Sequence, residues 1–397
     1  MNKIEYLFFI CLIIIVYTYV GYGIILFILV KIKQLYISKN RIDTNFYQPE
    51  VTLIIPAYNE CDIIDEKMDN TMNLNYPKDK LSVYWVIDGS DDESATTLKQ
   101  FDGISVFYKK ERRGKTNAIN RVMPFVKTEI TIFTDANAIL NRNAIIEIIN
   151  EFKNKQVGCV SGEKRIKVRT KDKASGSGEG FYWKYESFLK KLDNKLFSVV
   201  GAAGELFAIR TQLFDQIEDD TILDDFVISL RIALKGYKIA YTTKAYALEN
   251  ASATIKDEFA RKVRICAGGI QAIVRLKSLL NIFKYKTLSF QYISHRVLRW
   301  TITPLCLFAI IPINIIIVNH ENSHKSFFYT FYVLQILFYI AILIGFFLKA
   351  VKIKIRFIFI PYYFFIMNVS ALFGFINYLQ NKKYAIWKKV NRDQNII

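Results

Sequence analysis

The feature that most limits how this chain can fold is its apolar run YLFFICLIIIVYTYVGYGIILFILV, residues 6–30. It carries no charged side chain, and a helix needs only about 20 apolar residues to cross a bilayer. Backbone groups in hydrocarbon must bond to one another, so such a run has to be helical. A signal peptide would have a shorter apolar region and a small-residue cleavage site, and neither is present, so the run reads as an uncleaved anchor. Lys31, Lys33, Lys39 and Arg41 follow it, against Lys3 and Glu5 before it. That bias places the amino terminus outside and the central domain in the cytoplasm.

The other end is apolar too. TITPLCLFAIIPINIIIVN and SFFYTFYVLQILFYIAILIGFFL, joined by the polar HENSHK, read as a helical hairpin with its turn outside. Residues 357–380 form a last apolar stretch holding Pro361, Asn368, Ser370, Gly374 and Asn377, with basic clusters on both flanks. Both clusters favour the cytoplasmic side, so a shallow or re-entrant helix is expected there. Upstream, KYKTLSFQYISHRVLRW, residues 284–300, mixes basic and aromatic residues as a helix in the headgroup layer does, with Lys and Arg toward lipid phosphates; it also fits a simple flank of the next span. The expected division is an anchor over 1–40, a cytoplasmic domain over 41–283, and interfacial and transmembrane helices over 284–397.

These ends explain why 52% of the 397 residues are hydrophobic. The net charge of +18 fits nucleic acid, anionic lipid or a polyanionic substrate. No recognition helix or RNA-binding motif accompanies it, which argues against nucleic acid. A transporter would need more spans and intramembrane carboxylates. Cys11, Cys61, Cys159, Cys266 and Cys306 show no CxxC pairs or metal-ligand spacing, so they read as reduced packing residues.

Between the apolar ends the pattern changes to alternating strands and helices. VTLII (51–55) is a β-branched run of the kind buried on both faces, with Pro56 expected to stop it. A helical stretch follows, and the unit recurs with SVYWVID, ISVFY and ITIFTD as further strands and NAIIEIINEF as the last intervening helix. Alternation of this kind implies an α/β fold, a mostly parallel sheet flanked by helices. Ligands sit outside the carboxyl ends of such strands. Three strands deliver polar residues there: Asn59 and Glu60, then Asp88, then Asp135 and Asn137. Any one of these can be a helix cap, but three at successive strand ends favour a site. The run KKERRGKTNAIN sets cations around Gly114 at a helix start, which suits a phosphate, although the P-loop spacing is missing and a solvated charge run has the same composition. Asp224 and Asp225 open a helix in ILDDFVISLRIALKG, as a catalytic base or as a capping pair. The histidines lie outside this region, which argues against His-based catalysis or zinc.

Taken in order, these segments resemble a membrane-bound family 2 glycosyltransferase with the GT-A fold, the group that includes cellulose, hyaluronan and poly-N-acetylglucosamine synthases. VTLIIPAYNE is similar to the family's first strand, VIDGSDDES to its Asp-Gly-Ser turn, RRGKTNAIN to its Gly-Lys segment, and FTDANA stands where the DxD metal motif falls. GAAGELFAIR resembles the acceptor-side strand, and LDDFVISLRIALKGYKIAY the segment bearing the general base. The resemblance implies an inverting transfer from a nucleotide-sugar, UDP-linked by expectation, to a glycan or lipid-linked acceptor. It implies Asp225 as base with Asp224 beside it. Pro56, Ala57, Tyr58, Glu60, Asp88, Lys115, Asp135 and Arg264 would contact the nucleotide-sugar. Asp135 and Asn137 would hold Mg²⁺ or Mn²⁺, and Glu205 and Trp183 would face the acceptor; a buried arginine partner for Glu205, and core packing for Trp183 with Tyr182 and Tyr185, are the plainer uses. Two departures stand out. The metal motif has the neutral Asn137 in place of a second carboxylate, which lowers the charge offered to a cation. The Gln-x-x-Arg-Trp motif of processive synthases keeps Arg264 but has Ile265 for its tryptophan, which argues against processive polymerisation. A non-catalytic scaffold on the same fold is the remaining alternative, against which the intact Asp135 and Asp225 speak.

Overall fold

Val51, Leu53, Ile55 and Ala57 of the first strand enter one hydrophobic core, and Ile54 enters a second on the opposite face. That is the period-two outcome of an extended chain with a helical layer on each side. The computed structural model describes residues 3–36, 47–167, 176–250, 255–319, 325–350 and 356–380. Among these, eight strands form one sheet: β1 (Val51–Ala57), β2 (Leu81–Asp88), β3 (Ile104–Lys109), β4 (Ile130–Thr134), β5 (Ile139–Leu140), β6 (Val157–Lys167), β7 (Leu206–Arg210) and β8 (Lys238–Asn250). Their order is β3-β2-β1-β4-β7-β6-β8-β5. β1 is parallel to β2 and β4, and β2 to β3, whereas β7 runs antiparallel to both β4 and β6. Helices Ile64–Met72 and Ala144–Phe152 cover one face; Lys115–Val122 and Asp224–Leu234 cover the other.

Pro56 does not stop β1. The strand runs on to Ala57, with Pro56 in register with Val86. Pairing with β4 ends at Ile54, so beyond it β1 has a partner on one side only, and a residue without an N–H is tolerated there. The parallel registers bring the ends of β1, β2 and β4 out at one edge.

Among the described residues four helices are long and apolar enough to cross a membrane: Lys3–Tyr36, Ile302–Asn319, Ser326–Leu348 and Phe359–Leu379. The first packs on the second through Phe8, Cys11, Cys306 and Ile310, and Thr18 Oγ1 meets Thr303 Oγ1 at 2.9 Å. Over 357–380, where a shallow or re-entrant helix is expected, helix Arg356–Leu379 runs without a break. Within it Asn368 Nδ2 donates to Phe364 O (2.8 Å) and Ser370 Oγ to Ile366 O (2.7 Å), and Asn368 Oδ1 accepts from the Tyr19 hydroxyl of the first helix (2.7 Å). One side of this helix lies on helix Ile255–Arg275, so closely that a Cβ on Gly374 would stand 2.6 Å from Cys266 Cβ.

The segment 284–300 is helical from Thr287 to Trp300, and Ser289, Gln291, Ser294 and His295 are buried within it. His295 is fully buried between Asp193 and Glu186, and Arg296 and Arg299 both pair with Glu186. Helix Gly176–Leu196, which brings in both carboxylates, supplies the reason.

Candidate active site

Asp88 ends β2 and is buried. Its carboxylate accepts from the backbone N–H of Arg113 (3.1 Å) and of Gly114 (2.5 Å), fixing the turn that opens helix Lys115–Val122. Accepting two such bonds leaves a carboxylate further lone pairs for a ligand. Asp88 lines a small pocket with Pro56, Ala57, Tyr58, Arg112, Gly114, Lys115 and Ala118. The Arg112 guanidinium lies over the Tyr58 ring at 3.6 Å. The remaining polar residues of the β2 turn join the β1 and β2 exits. Asn59 Nδ2 donates to Asp91 Oδ1 (2.5 Å), Asn59 N to Ser90 Oγ (2.9 Å) and Cys61 N to Asp92 Oδ2 (3.1 Å). Glu60 is buried beside them, its N–H bonded to Ser94 Oγ.

Gly89 has φ +70°, and a Cβ there would lie 2.6 Å from Arg112 Cβ and 2.7 Å from its backbone. Gly103 has a similar φ of +76° but open space around it. Gly89→Ala is therefore expected to lower the thermal unfolding temperature well beyond Gly103→Ala. The shared backbone strain costs about 1–3 kcal/mol, and only Gly89 adds a backbone clash. Equal melting of the two variants in detergent would contradict this.

The centre of the site is Lys115. Its Nζ lies 2.7 Å from Asp135 Oδ1 and 3.6 Å from Asp224 Oδ2. A Cβ on Gly204 would stand 3.3 Å from Asp225 Oδ2 and 3.5 Å from Lys115 Nζ, so this glycine keeps the centre open. Three of the residues expected from sequence are thus gathered around one cation. Burial works against the Lys115 charge, but Asp135, Asp224 and Asp225 outweigh it and raise the ammonium pKa. Burial first, then Asp224, push the Asp225 carboxyl up to about 7, with Lys115 opposing. Burial likewise raises Asp135, Lys115 pulls it back, and Glu249 and Glu205 add to the rise. Arg264 is half-buried with Asp224, Asp135 and Asp225 in its field, which offset part of its desolvation.

Lys67 was not legible as a site residue. It is fully buried on helix Ile64–Met72, and its Nζ donates to Ala138 O (2.5 Å) and Thr134 Oγ1 (3.3 Å), spanning the loop that carries Asp135 and Asn137. Burial lowers its pKa to about 7 despite the pull of Asp135 and Glu249. The sequence did hold a signal: Lys67 shares the buried helix face of Ile64, Met68 and Thr71, where a lysine is out of place.

Glu205 and Trp183 stand at a second cluster. Lys164 pairs with Glu205 and, at 2.5 Å, with Glu249, so the partner of Glu205 is a lysine, not an arginine. Burial opposes the Glu205 charge, but Lys164 outweighs it and holds this carboxyl below its usual range. The Trp183 ring has Lys164 Nζ at 5.5 Å and Lys262 Nζ at 5.3 Å. Tyr185 donates to Tyr19 O, and the side chain of Tyr182 lies outside the described residues. Helix Ile255–Arg275 also pins the segment before Asp224. Gln271 accepts from Ile222 N (3.0 Å), Arg275 donates to Thr221 Oγ1 (2.8 Å) and to Asp220, and a Cβ on Gly268 would collide with Ile222 and Leu223.

Among the described residues no group of three or more His, Cys, Asp or Glu is gathered to hold a metal by itself. Two buried oxygens nevertheless accept no hydrogen bond: Asn137 Oδ1, two residues past Asp135, and Asp224 Oδ2, which meets Lys115 Nζ only at 3.6 Å. Mg²⁺-type sites often use one or two protein carboxylates completed by substrate phosphates, so this sparse oxygen set fits such a cation.

A mixed sheet of this order, with carboxylates and cations at the ends of its parallel strands and apolar helices at both chain ends, defines a membrane-associated GT-A glycosyltransferase. Residues 49–268 match the family model described as "Glycosyltransferase like family 2", and the chain belongs to that family. Curated relatives include a poly-beta-1,6-N-acetyl-D-glucosamine synthase of Staphylococcus epidermidis, 24% identical over 86% of this chain and 87% of the relative. The protein of that name from Staphylococcus aureus strain MSSA476 is 26% identical over 57% of this chain and 56% of its own length. Among solved structures, a mannosyltransferase from Pyrobaculum calidifontis in complex with GDP-Man and Mn²⁺ superposes with a TM-score of 0.69 at 21% identity. It covers 95% of this chain and 99% of its own.

Proposed function

We propose that the protein is an inverting transferase that moves a sugar from a nucleotide-sugar, a UDP-sugar by preference, to a glycan or lipid-linked acceptor at the inner membrane face, for cell-surface polysaccharide assembly. The observation that carries this reading is the convergence of Asp135, Asp224 and Asp225 on Lys115, beside the pocket of Tyr58 and Asp88. The nucleoside lies against Pro56, Ala57, Tyr58, Glu60 and Asp88, and its diphosphate faces Lys115 and Arg264. Asp225 takes the proton of the acceptor hydroxyl as that oxygen bonds to the anomeric carbon, and the nucleoside diphosphate departs with the electron pair of the broken C–O bond. A carboxyl poised near neutrality is well matched to that task. Lys115 then exchanges carboxylate partners for phosphate oxygens, so its charge is in place before the donor arrives. Glu205 and Trp183 border the acceptor.

Asp135 and Asn137, with Asp224 Oδ2, are the residues that would hold Mg²⁺ or Mn²⁺. Bound there, the cation neutralises charge developing on the diphosphate. The basic residues after the first apolar helix support a cytoplasmic catalytic domain.

A second reading, processive polymer synthesis, is favoured by the relatives named as poly-beta-1,6-N-acetyl-D-glucosamine synthases. Against it stands Ile265 in place of the motif's tryptophan. Both are tested by incubating the purified protein with a panel of labelled nucleotide-sugars and Mn²⁺, then separating lipid, polymer and soluble fractions. A single donor should be consumed, and EDTA should suppress turnover by about 100-fold or more, restored by Mn²⁺. Absence of turnover with every donor would leave the scaffold reading in its place.

A further inference from the structure

Among the membrane helices lies a cavity of about 710 Å³, the size of a small-molecule site. Its walls are apolar, with Val20, Ile24 and Phe27 from the first helix and Phe364 and Met367 from the last. At one end stand Arg296, Arg299 and Trp300. Those walls offer a sugar chain few hydrogen-bond partners but suit a hydrocarbon chain.

The polar end has its own charge balance. Glu186 pairs with Arg296 at 2.8 Å and Arg299 at 3.0 Å, and Lys190 on the same helix lies in the field of Glu186 and Arg296. Asp193 accepts from Tyr22 and Gln291 and meets His295 at 2.6 Å. Two arginines that line the cavity, Arg296 and Arg299, therefore share the one carboxylate of Glu186. Two arginines in the wall of an apolar cavity match a phosphate.

This end also adjoins the reacting centre. The Trp300 ring packs on Phe226 with centroids 5.3 Å apart, and Phe226 directly follows Asp225. The indole rests on the backbone of helix Ile255–Arg275, where a Cβ on Gly269 would lie 2.4 Å from it. Arg296 Nε donates to Val200 O, next to Gly201, whose Cβ would strike Phe226.

We propose that the acceptor is a sugar carried on a lipid phosphate, with its hydrocarbon chain in this cavity, its phosphate at Arg296 and Arg299, and its sugar hydroxyl at Asp225. This rests on the transferase reading and narrows its acceptor. Atoms balance as before: the hydroxyl oxygen bonds to the donor's anomeric carbon, its proton passes to Asp225, and the nucleoside diphosphate leaves.

Binding is measured on the full chain in detergent, with farnesyl phosphate as the probe and farnesol as its neutral counterpart, and with UDP binding measured on the same preparation. Farnesyl phosphate should bind about 10-fold or more tighter than farnesol. Val20→Trp, at a half-exposed cavity wall, should weaken it by about 10-fold or more, whereas Phe283→Trp, on an exposed surface outside the cavity, should not. Arg299→Gln should narrow the gap between phosphate and alcohol. Equal binding of the two probes would overturn the proposal, as would displacement of farnesyl phosphate by an equal concentration of phosphatidylglycerol, the mark of a structural lipid. Lipid-phosphate binding without UDP binding would support the cavity and sink the transferase reading alone; UDP binding without lipid-phosphate selectivity would do the reverse.

Discussion

Asp225→Asn is expected to cut sugar transfer by about 100-fold or more, the usual contribution of a positioned base, while UDP still binds. The amide keeps the shape of the carboxyl but cannot accept the acceptor's proton. The wild-type protein should show a matching pH limb. With Asp225 pushed up to about 7, kcat/KM rises with pH and levels off above neutrality. Stability moves the other way. A carboxyl whose native pKa lies above its unfolded value of about 3.9 holds its proton longer in the folded chain, so its contribution is full below that value and is lost as pH rises through 7. Asp225→Asn removes that loss, and the variant should melt above wild type at pH 8 with the difference closing toward pH 5. Transfer at near-normal rate by the variant would end the assignment of the base.

Lys115→Met should be as damaging to activity and more so to the fold. Removing one partner of a buried ion pair typically costs about 3–5 kcal/mol, and here Asp135, Asp224 and Asp225 lose the same cation at once. The variant should melt lower, and transfer should fall by about 100-fold or more with the loss of a preorganised charge at the leaving group. Since Lys115 holds the Asp225 carboxyl down, its loss should move the pH limb upward, so part of the activity returns on going from pH 7 to 9. An unshifted limb would show that Lys115 does not act on Asp225.

The sequence disclosed the half of the site that sits on parallel strands. Asp88 and Asp135 follow buried strands directly, and the strand-end rule locates both without knowledge of side-chain contacts. Asp225 was legible only through resemblance, since a helix-opening carboxylate pair reads equally as a cap. What stayed hidden depends on long-range packing. β7 runs antiparallel between β4 and β6, and nothing local in LFAIR gives its direction. The pairing of Arg296 and Arg299 was hidden because their partner, Glu186, lies on a helix more than a hundred residues earlier. Pro56 misled for a related reason: a proline ends a strand only where its missing donor faces a neighbour, and β4 has already stopped pairing there.

The helix Ile255–Arg275 has a practical consequence for anyone seeking a soluble version. It holds the segment before Asp224 on one side, and Gly374 of the last apolar helix rests on its backbone on the other. A trimmed protein ending near residue 250 would keep the sheet and the cleft around Tyr58 and Asp88, yet lose the Gln271 and Arg275 bonds that brace the segment before Asp224. Such a fragment would capture its nucleotide and stall, and crystallising it would misreport the geometry of turnover.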